Sequence, residues 1–477
     1  MSATPAPPRA NRMSARAWGL LLVLSGAIFL EGIDVSMMGV ALPSIRADLG
    51  LSTGSLQWVV SAYVLGYGGF VLLGGRAADL LGRRRMFLTW LVVFVLFSGL
   101  GGLAGEGWVL VVARFVTGVA AAFLAPAGLS IITTTYAAGR VRNRALLVYA
   151  GAGAGGFSLG MVVGGLLTAA HWRWVFFAPV VVAAAILVAA VVLVPREERR
   201  EPGAGGFDVA GTATLTGAML LLVVTVVRAP EVGVTTTVGT LAAAVVLLAA
   251  FVRIERRSAA PLVRLGILRS APLLRANAGA ALLVGSFMAF QFVVVLYLQE
   301  LRGWSEVETG LALAVAGIDA VLAPTLAPML VNRFGHARVV VAGLASAALA
   351  YALFLPVGPD WGFAVMLPSL VALGVGFALA YGPLTIAGTE GVADEEQGLA
   401  SGLLTTSFQF GAALGLAVVS AVIVAATADG SPQSVLEGYR AGLVVPLAGA
   451  VLGVVLTAAG LRRSRPIPAA AAVPPRP

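Results

Sequence analysis

The chain has 477 residues, of which 59% are hydrophobic and only 11% charged, against about 45 to 50% and about 25% in soluble domains. With a mean hydropathy of +0.97 and apolar runs of spanning length along almost its whole extent, it is not a soluble protein but a polytopic helical membrane protein. A net charge of +9 is carried entirely by arginine, with no lysine and no cysteine, which excludes a Walker A lysine, Schiff-base chemistry, disulfides and thiolate metal sites.

The tail 1–17, MSATPAPPRANRMSARA, has the basic character of a signal-peptide start. The apolar run that follows is long, holds acids and lacks a cleavage site, so it reads as a retained first span. Within that span (18–42) the stretch FLEGIDVSMMGVALP carries Glu31 and Asp34. A charged side chain at the centre of a membrane helix costs about 2.5 to 3.5 kcal/mol on insertion scales. Two acids three residues apart share one helix face, and that face must look at a cavity or at partners.

A second span (56–73) leads into GGRAADLLGRRR, read as a tight glycine-rich turn followed by a basic cluster, with Gly75, Asp79, Gly82, Arg83 and Arg84 as its marked positions. Spans at 87–104 and 108–133 follow, the latter holding Arg114. The fifth span (146–169) contains GAGAGGFSLGMVVGG, which spells both a dinucleotide fingerprint and a nucleophile elbow. Each needs a preceding strand, so Gly156, Gly160 and Gly164, with Gly165, read instead as a small-residue face for close helix packing.

The sixth span (174–194) is followed by two more (209–227 and 235–252), and then by six: 276–298 with Gln291, 309–331 with Asp319, 339–356, 363–386 with Tyr381, 399–426 with Gln409, and 441–461. LVNRFGHAR, after the tenth span, is a degenerate copy of the earlier basic motif, with Asn332 where Asp79 stands and Gly335 lying 253 residues after Gly82. Two copies, each after the second span of a six-span group, indicate an internal duplication. The organisation expected is a cytoplasmic tail (1–17), a six-helix bundle (18–195), two extra spans (208–253), a cytoplasmic loop (254–275), a second bundle (276–461) and a tail (462–477). With the amino terminus inside, twenty-five arginines fall in inner segments and five in outer loops. That bias places both termini in the cytoplasm.

These motifs resemble the major facilitator superfamily, in its fourteen-span drug:proton antiporter branch. Gly75, Asp79, Gly82, Arg83 and Arg84 match its loop signature G-x-L-A-D-R-x-G-R-R, with Leu80 in place of an Arg. DVSMMGVALP is similar to the branch's first-span motif D-x-T-I-V-N-V-A-L-P, with Gly39 for Asn, and VLVVARFVTGVAAA to its fourth-span motif, with Thr117 for Gln. YLQELRGWSEVETGL and GLASGLLTTSFQFGAALG resemble its ninth-to-tenth and thirteenth-span regions. The fifth-span motif ends G-P-x-x-G-G in the family, and Met161 replaces the Pro.

The resemblance implies an all-α major facilitator fold of fourteen transmembrane helices, two six-helix bundles plus two linker helices. It also implies a proton-coupled exporter of hydrophobic or cationic drug-like or natural-product molecules. The expected partners are a small-molecule substrate, protons and the lipid bilayer, without nucleic acid, metal or cofactor, in a monomer of the plasma membrane. Counting about 1.5 Å per residue puts Asp34 roughly 13 Å and Arg114 roughly 9 Å from the outer ends of their spans. A pairing of Arg114 with Asp34, or through Glu31, is expected, and a movement that separates such a pair changes its proton affinity.

Asp34, Glu31, Arg114 and Asp319 are therefore the proton-coupling candidates, although Asp319 also reads as a structural acid bonded to nearby backbone. Glu31, Asp34, Gln291, Tyr381 and Gln409 are the substrate-binding candidates; the last three read equally as helix-packing contacts. His171 and His336 read as structural or solvated. A proton-coupled importer of a polar nutrient and a transport-inactive membrane sensor are the competing functions.

Overall fold

Lipid offers no hydrogen bonds, so each apolar run must satisfy its backbone internally, and a helix does this within one segment. The computed structural model describes residues 13–137, 140–196, 208–229, 232–258, 261, 263, 265–388, 392 and 397–461. In chain order its long helices are α1 (Ala15–Leu49), α2 (Trp58–Leu81), α3 (Arg83–Gly102), α4 (Gly107–Thr135), α5 (Arg140–Ala170), α6 (Trp174–Leu193), α7 (Val209–Arg228) and α8 (Val234–Glu255). They continue with α9 (Ala271–Leu296), α10 in two pieces (Glu306–Ala314 and Asp319–Phe334), α11 (His336–Phe354), α12 (Phe363–Ala387), α13 (Gln397–Ala426) and α14 (Pro432–Leu461). Among the described residues thirteen helices are long and apolar enough to cross a membrane, and the bent α10 makes a fourteenth.

The duplication is visible in the pairing. In the first half α1 packs on α5 and α6, α4 on α2 and α3, and α3 on α6; in the second, α9 packs on α13 and α14, α12 on α10 and α11, and α11 on α14. Glycines set the closest of these approaches. A Cβ on Gly156 would overlap the Phe29 backbone, one on Gly160 would meet Ile33 and Ser36, and one on Gly164 would meet Met37. The second half repeats this between α9 and α13, where Gly285 faces the backbone of Gly411 and Gly415.

The stretch GGRAADLLGRRR is not a loop. Helix α2 runs through it to Leu81 and α3 begins at Arg83, so the turn is Gly82 alone, at φ 94° and ψ 128°. Its duplicate, Gly335, joins α10 to α11 at φ 78° and ψ 155°. Only glycine adopts such backbone without steric penalty. Gly75 faces Pro126 of α4, and Arg84 donates to the Val191 carbonyl at the end of α6 (2.8 Å), where a cation complements the helix dipole. The side chain of Asp79 lies outside the described residues.

The halves meet along two seams. In one, α2 lies against α13, with Thr406 Oγ1 donating to the Gly68 carbonyl (3.3 Å). In the other, α5 lies against the first piece of α10, where Gly165 abuts the Glu306 backbone and Gly310 the Met161 carbonyl. The two extra helices form a pair beside the first seam: α7 touches both α2 and α13, Thr216 Oγ1 donates to the Gly69 carbonyl (3.3 Å), and α8 packs on α7.

The α1/α5 contact gives a direct test. Gly156→Val should lower the midpoint of thermal unfolding in detergent, because overpacking costs about 1 to 3 kcal/mol. Gly155→Ala, where an added Cβ meets nothing within 4 Å, should leave the midpoint unchanged.

Candidate functional site

Asp34 and Arg114 are joined in a salt bridge of 2.5 Å, and each side chain is only 1% exposed. Three helices build it. Asp34 comes from α1 and Arg114 from α4, while α2 supplies the Val59 carbonyl, which accepts from Arg114 Nε (3.1 Å), and the Tyr63 ring, 4.5 Å beneath the guanidinium carbon. The short reach depends on the α2/α4 seam, where added Cβ atoms on Gly66 and Gly118 would overlap the backbones of Phe115 and Tyr63. The network is only part satisfied among the described residues: Asp34 Oδ1, Arg114 Nη2 and the Tyr63 hydroxyl have no hydrogen-bond partner. A buried pair of this kind gains strength from the low dielectric, and each half is costly to leave alone.

Glu31, one turn earlier on the same face of α1, has a different setting. Among the described residues no cation pairs with it. Tyr67 of α2 lies nearby, and the Glu31 side chain, partly accessible, lines a crevice with Ala27, Leu91, Phe94, Leu124 and Tyr149. Of the two pairings the sequence left open, the structure forms the one through Asp34.

A row of aromatic rings runs from the first half into the second. Phe157 of α5 meets Phe287 of α9 (centroids 5.9 Å), Phe287 meets Phe377 of α12 (4.9 Å), and Tyr381 stacks between Phe377 (5.3 Å) and Phe408 of α13 (4.6 Å). Tyr381 keeps 44% of its surface exposed.

Asp319 heads the second piece of α10, in its first turn. That is the favourable place for an acid relative to the helix dipole. The straight tenth span read from the sequence is in fact broken: a 3-10 turn, Val315–Ile318, interrupts it, and its axis bends by 55° at residue 324. Gly317, Asp319 and Pro324 within AGIDAVLAP are the signals for that break, since proline removes a ladder donor.

Gln291 is 6% exposed, its Nε2 has no partner, and it fills the notch left by Gly39, where an added Cβ would come within 3.0 Å of it. Gln409 lies on the α2/α13 seam, its Cβ against Gly68. The structure thus joins Asp34 to Arg114 with Glu31 one turn away, sets Tyr381 in the aromatic row and Asp319 at the break in α10, leaves Gln409 at a helix crossing, and sets Gly75, Gly82, Arg83 and Arg84 towards the end of the bundle that carries the termini. Sequence reasoning missed Tyr63 and Tyr67. Their four-residue spacing on one helix face was the available signal.

Two duplicated six-helix halves, one of them carrying a buried acid–base pair, define a transporter of the membrane. The chain matches the family described as Major Facilitator Superfamily over residues 24–416, and it belongs to that family. It is 35% identical to a puromycin resistance protein of Streptomyces alboniger, over 93% of this chain and 90% of that protein. To a cephamycin export protein of Amycolatopsis lactamdurans it is also 35% identical, over 96% of each chain; to a lincomycin resistance protein of Streptomyces lincolnensis it is 32% identical, over 87% and 86%. Among solved structures a bacterial homologue of the human lysosomal transporter Spinster, in an inward-facing form, shares the fold with a TM-score of 0.66 at 18% identity, covering 95% of this chain and 98% of that one. The chain is therefore a multi-pass membrane transporter with a small-molecule substrate.

Breaking one side of the buried pair should cost more than removing both. Asp34→Asn or Arg114→Gln alone is expected to destabilise by about 3 to 5 kcal/mol, and the double variant to recover a large part of that loss. Thermal unfolding of the four proteins in detergent, read as a double-mutant cycle, measures the coupling.

Proposed function

We propose that this protein exports amphipathic drug-like or natural-product molecules in exchange for protons, by alternating access between its two halves. One observation carries the reading: Glu31 and Asp34 share a face of α1 yet differ in partner, Asp34 held by Arg114 and Glu31 lining a crevice, with no cation paired to it among the described residues. A proton arriving on Asp34 removes its attraction for Arg114, which frees α1 and α4 to move relative to each other. Glu31 and the exposed edge of Tyr381 then meet the cargo, flat apolar surface against the rings and a positive group, where the cargo has one, against the carboxylate. The relatives named for puromycin resistance, cephamycin export and lincomycin resistance support the class of substrate.

The protein works in the plasma membrane as a monomer with both termini in the cytoplasm, on the arginine bias. It draws its energy from the proton gradient and needs no bound cofactor.

In a host lacking its own pumps, expression of the parent should raise resistance to at least one member of an antibiotic panel, and Asp34→Asn and Arg114→Ala should abolish the gain at equal membrane abundance. In inverted vesicles, adding that compound should release protons from the lumen with the parent and not with Asp34→Asn. Accumulation of a polar nutrient by cells, with no proton release on adding drug, would instead establish import. Glu31→Gln should narrow the panel towards uncharged compounds while proton release with those compounds persists.

A further inference from the structure

The end of the bundle away from the termini is fastened by a short, irregular segment that the transport reading does not use. After Leu296 the helix α9 widens into a π-helical turn, Tyr297–Leu301. In an α-helix successive residues point about 100° apart; here two successive side chains, Gln299 and Glu300, both reach α1 of the other half. Gln299 Nε2 donates to the Val40 carbonyl (2.9 Å), and Arg46 Nη1 donates to both oxygens of Glu300 (3.0 and 2.8 Å).

Each side of this contact is braced within its own half. Tyr439 of α14 donates its hydroxyl to Glu300 (3.2 Å). At the end of α1, Asp48 pairs with Arg173 (2.8 Å) and accepts from Trp172 Nε1 (2.9 Å). A second strap crosses beside it, Ser44 Oγ donating to Glu306 (2.9 Å).

Pro43 disturbs the α1 ladder one residue before that acceptor. Lacking an N–H, it cannot bond the Gly39 carbonyl, and its ring loosens the ladder around Gly39 and Val40. The stretch VALPSIR, which begins in the first-span motif, and the LQE of the ninth-to-tenth region thus make contact, the first supplying the acceptor (Val40) and the cation (Arg46), the second the amide and the acid. The pair is also reversible by its surroundings: Arg46 and Glu300 keep 34% and 26% of their side-chain surface exposed. Water can therefore replace each partner as they part, unlike at Asp34 and Arg114. Such π turns recur at functional sites.

We propose that the turn Tyr297–Leu301 is a latch closing the cavity at the face away from the termini, with Gln299 and Glu300 as positioning residues that hold α1 until the halves rock apart. This rests on the alternating-access reading above, but not on the identity of the cargo.

The chain has no cysteine, so one can be placed without background at Met288 of α9, which packs against two apolar clusters that each draw residues from both halves. Its reaction with a membrane-impermeant maleimide is followed from each face, in intact cells and in inverted vesicles, without cargo. In Met288→Cys, adding Glu300→Gln or Arg46→Gln should raise labelling from the face away from the termini by roughly fivefold, the population shift for losing one hydrogen-bonded contact, and lower it from the other face. Gln299→Leu should act in the same direction. The exchanged pair, Arg46→Glu with Glu300→Arg, should return both rates towards those of the parent. Unchanged rates in the single variants would overturn the latch. So would labelling that rises from both faces together, which marks general loosening, or an exchanged pair that labels as fast as the singles. Loss of drug export by the parent would overturn the transport reading and leave these rates untouched.

Discussion

An ion pair with 1% of each side chain exposed has no water to lean on, and in a bilayer no lipid group to take its place. Each charge must find the other over the length of a side chain, and the helices that carry them must come close enough to allow it. Much of the first half can be read as meeting that demand. Gly66, Gly74 and Gly118 bring α2 and α4 into backbone contact, and Gly156, Gly160 and Gly164 do the same for α1 and α5. Tyr63 and the Val59 carbonyl then occupy the remaining sides of the guanidinium. Lipid provides little drive for apolar helices to associate, so close packing of small residues and the polar contacts it permits hold the bundle together.

The two halves share a pairing scheme but not a chemistry. Gly32 and Gly285, 253 residues apart as Gly82 and Gly335 are, each lie against the backbone of their partner helix. Two residues on from them stand Asp34 in the first half and Phe287 in the second. The position that carries the buried charge in one copy therefore carries, in the other, a ring of the aromatic row. The duplication accounts for the site's division of labour, with charge on α1 and α4 and apolar rings on α9, α12 and α13. Likewise, α7 touches only one of the two inter-half seams strongly, so an approximately two-fold scaffold becomes lopsided where the extra pair sits.

Much of this was legible in the residues. Fourteen apolar runs, their six, two, six grouping and the repeated basic motif follow from composition and spacing, because a helix in lipid is determined by its own segment. Glu31, Asp34 and Arg114 stood out because ionisable groups inside spans are expensive enough to be rare. The glycine turn at Gly82 was placed but misread as a loop, since nothing local distinguishes a one-residue break from a longer one. The break in α10 was missed because its hydropathy is continuous across Gly317, Asp319 and Pro324.

What the sequence determined alone, then, is what depends on solvent and local geometry: helices, their number, the duplication, and the requirement that two acids on α1 avoid lipid. Only the tertiary structure decided which acid takes Arg114. Glu31 and Asp34 share a face and nearly a depth, so the choice turns on where α4 crosses α1 and which carboxylate lies within reach. The same holds for the aromatic row and for the bonds from Gln299 and Glu300 to α1, whose residues are far apart in the chain and meet only when the halves pack. Spacing along one helix fixes which side chains look the same way; it carries no information about what they face.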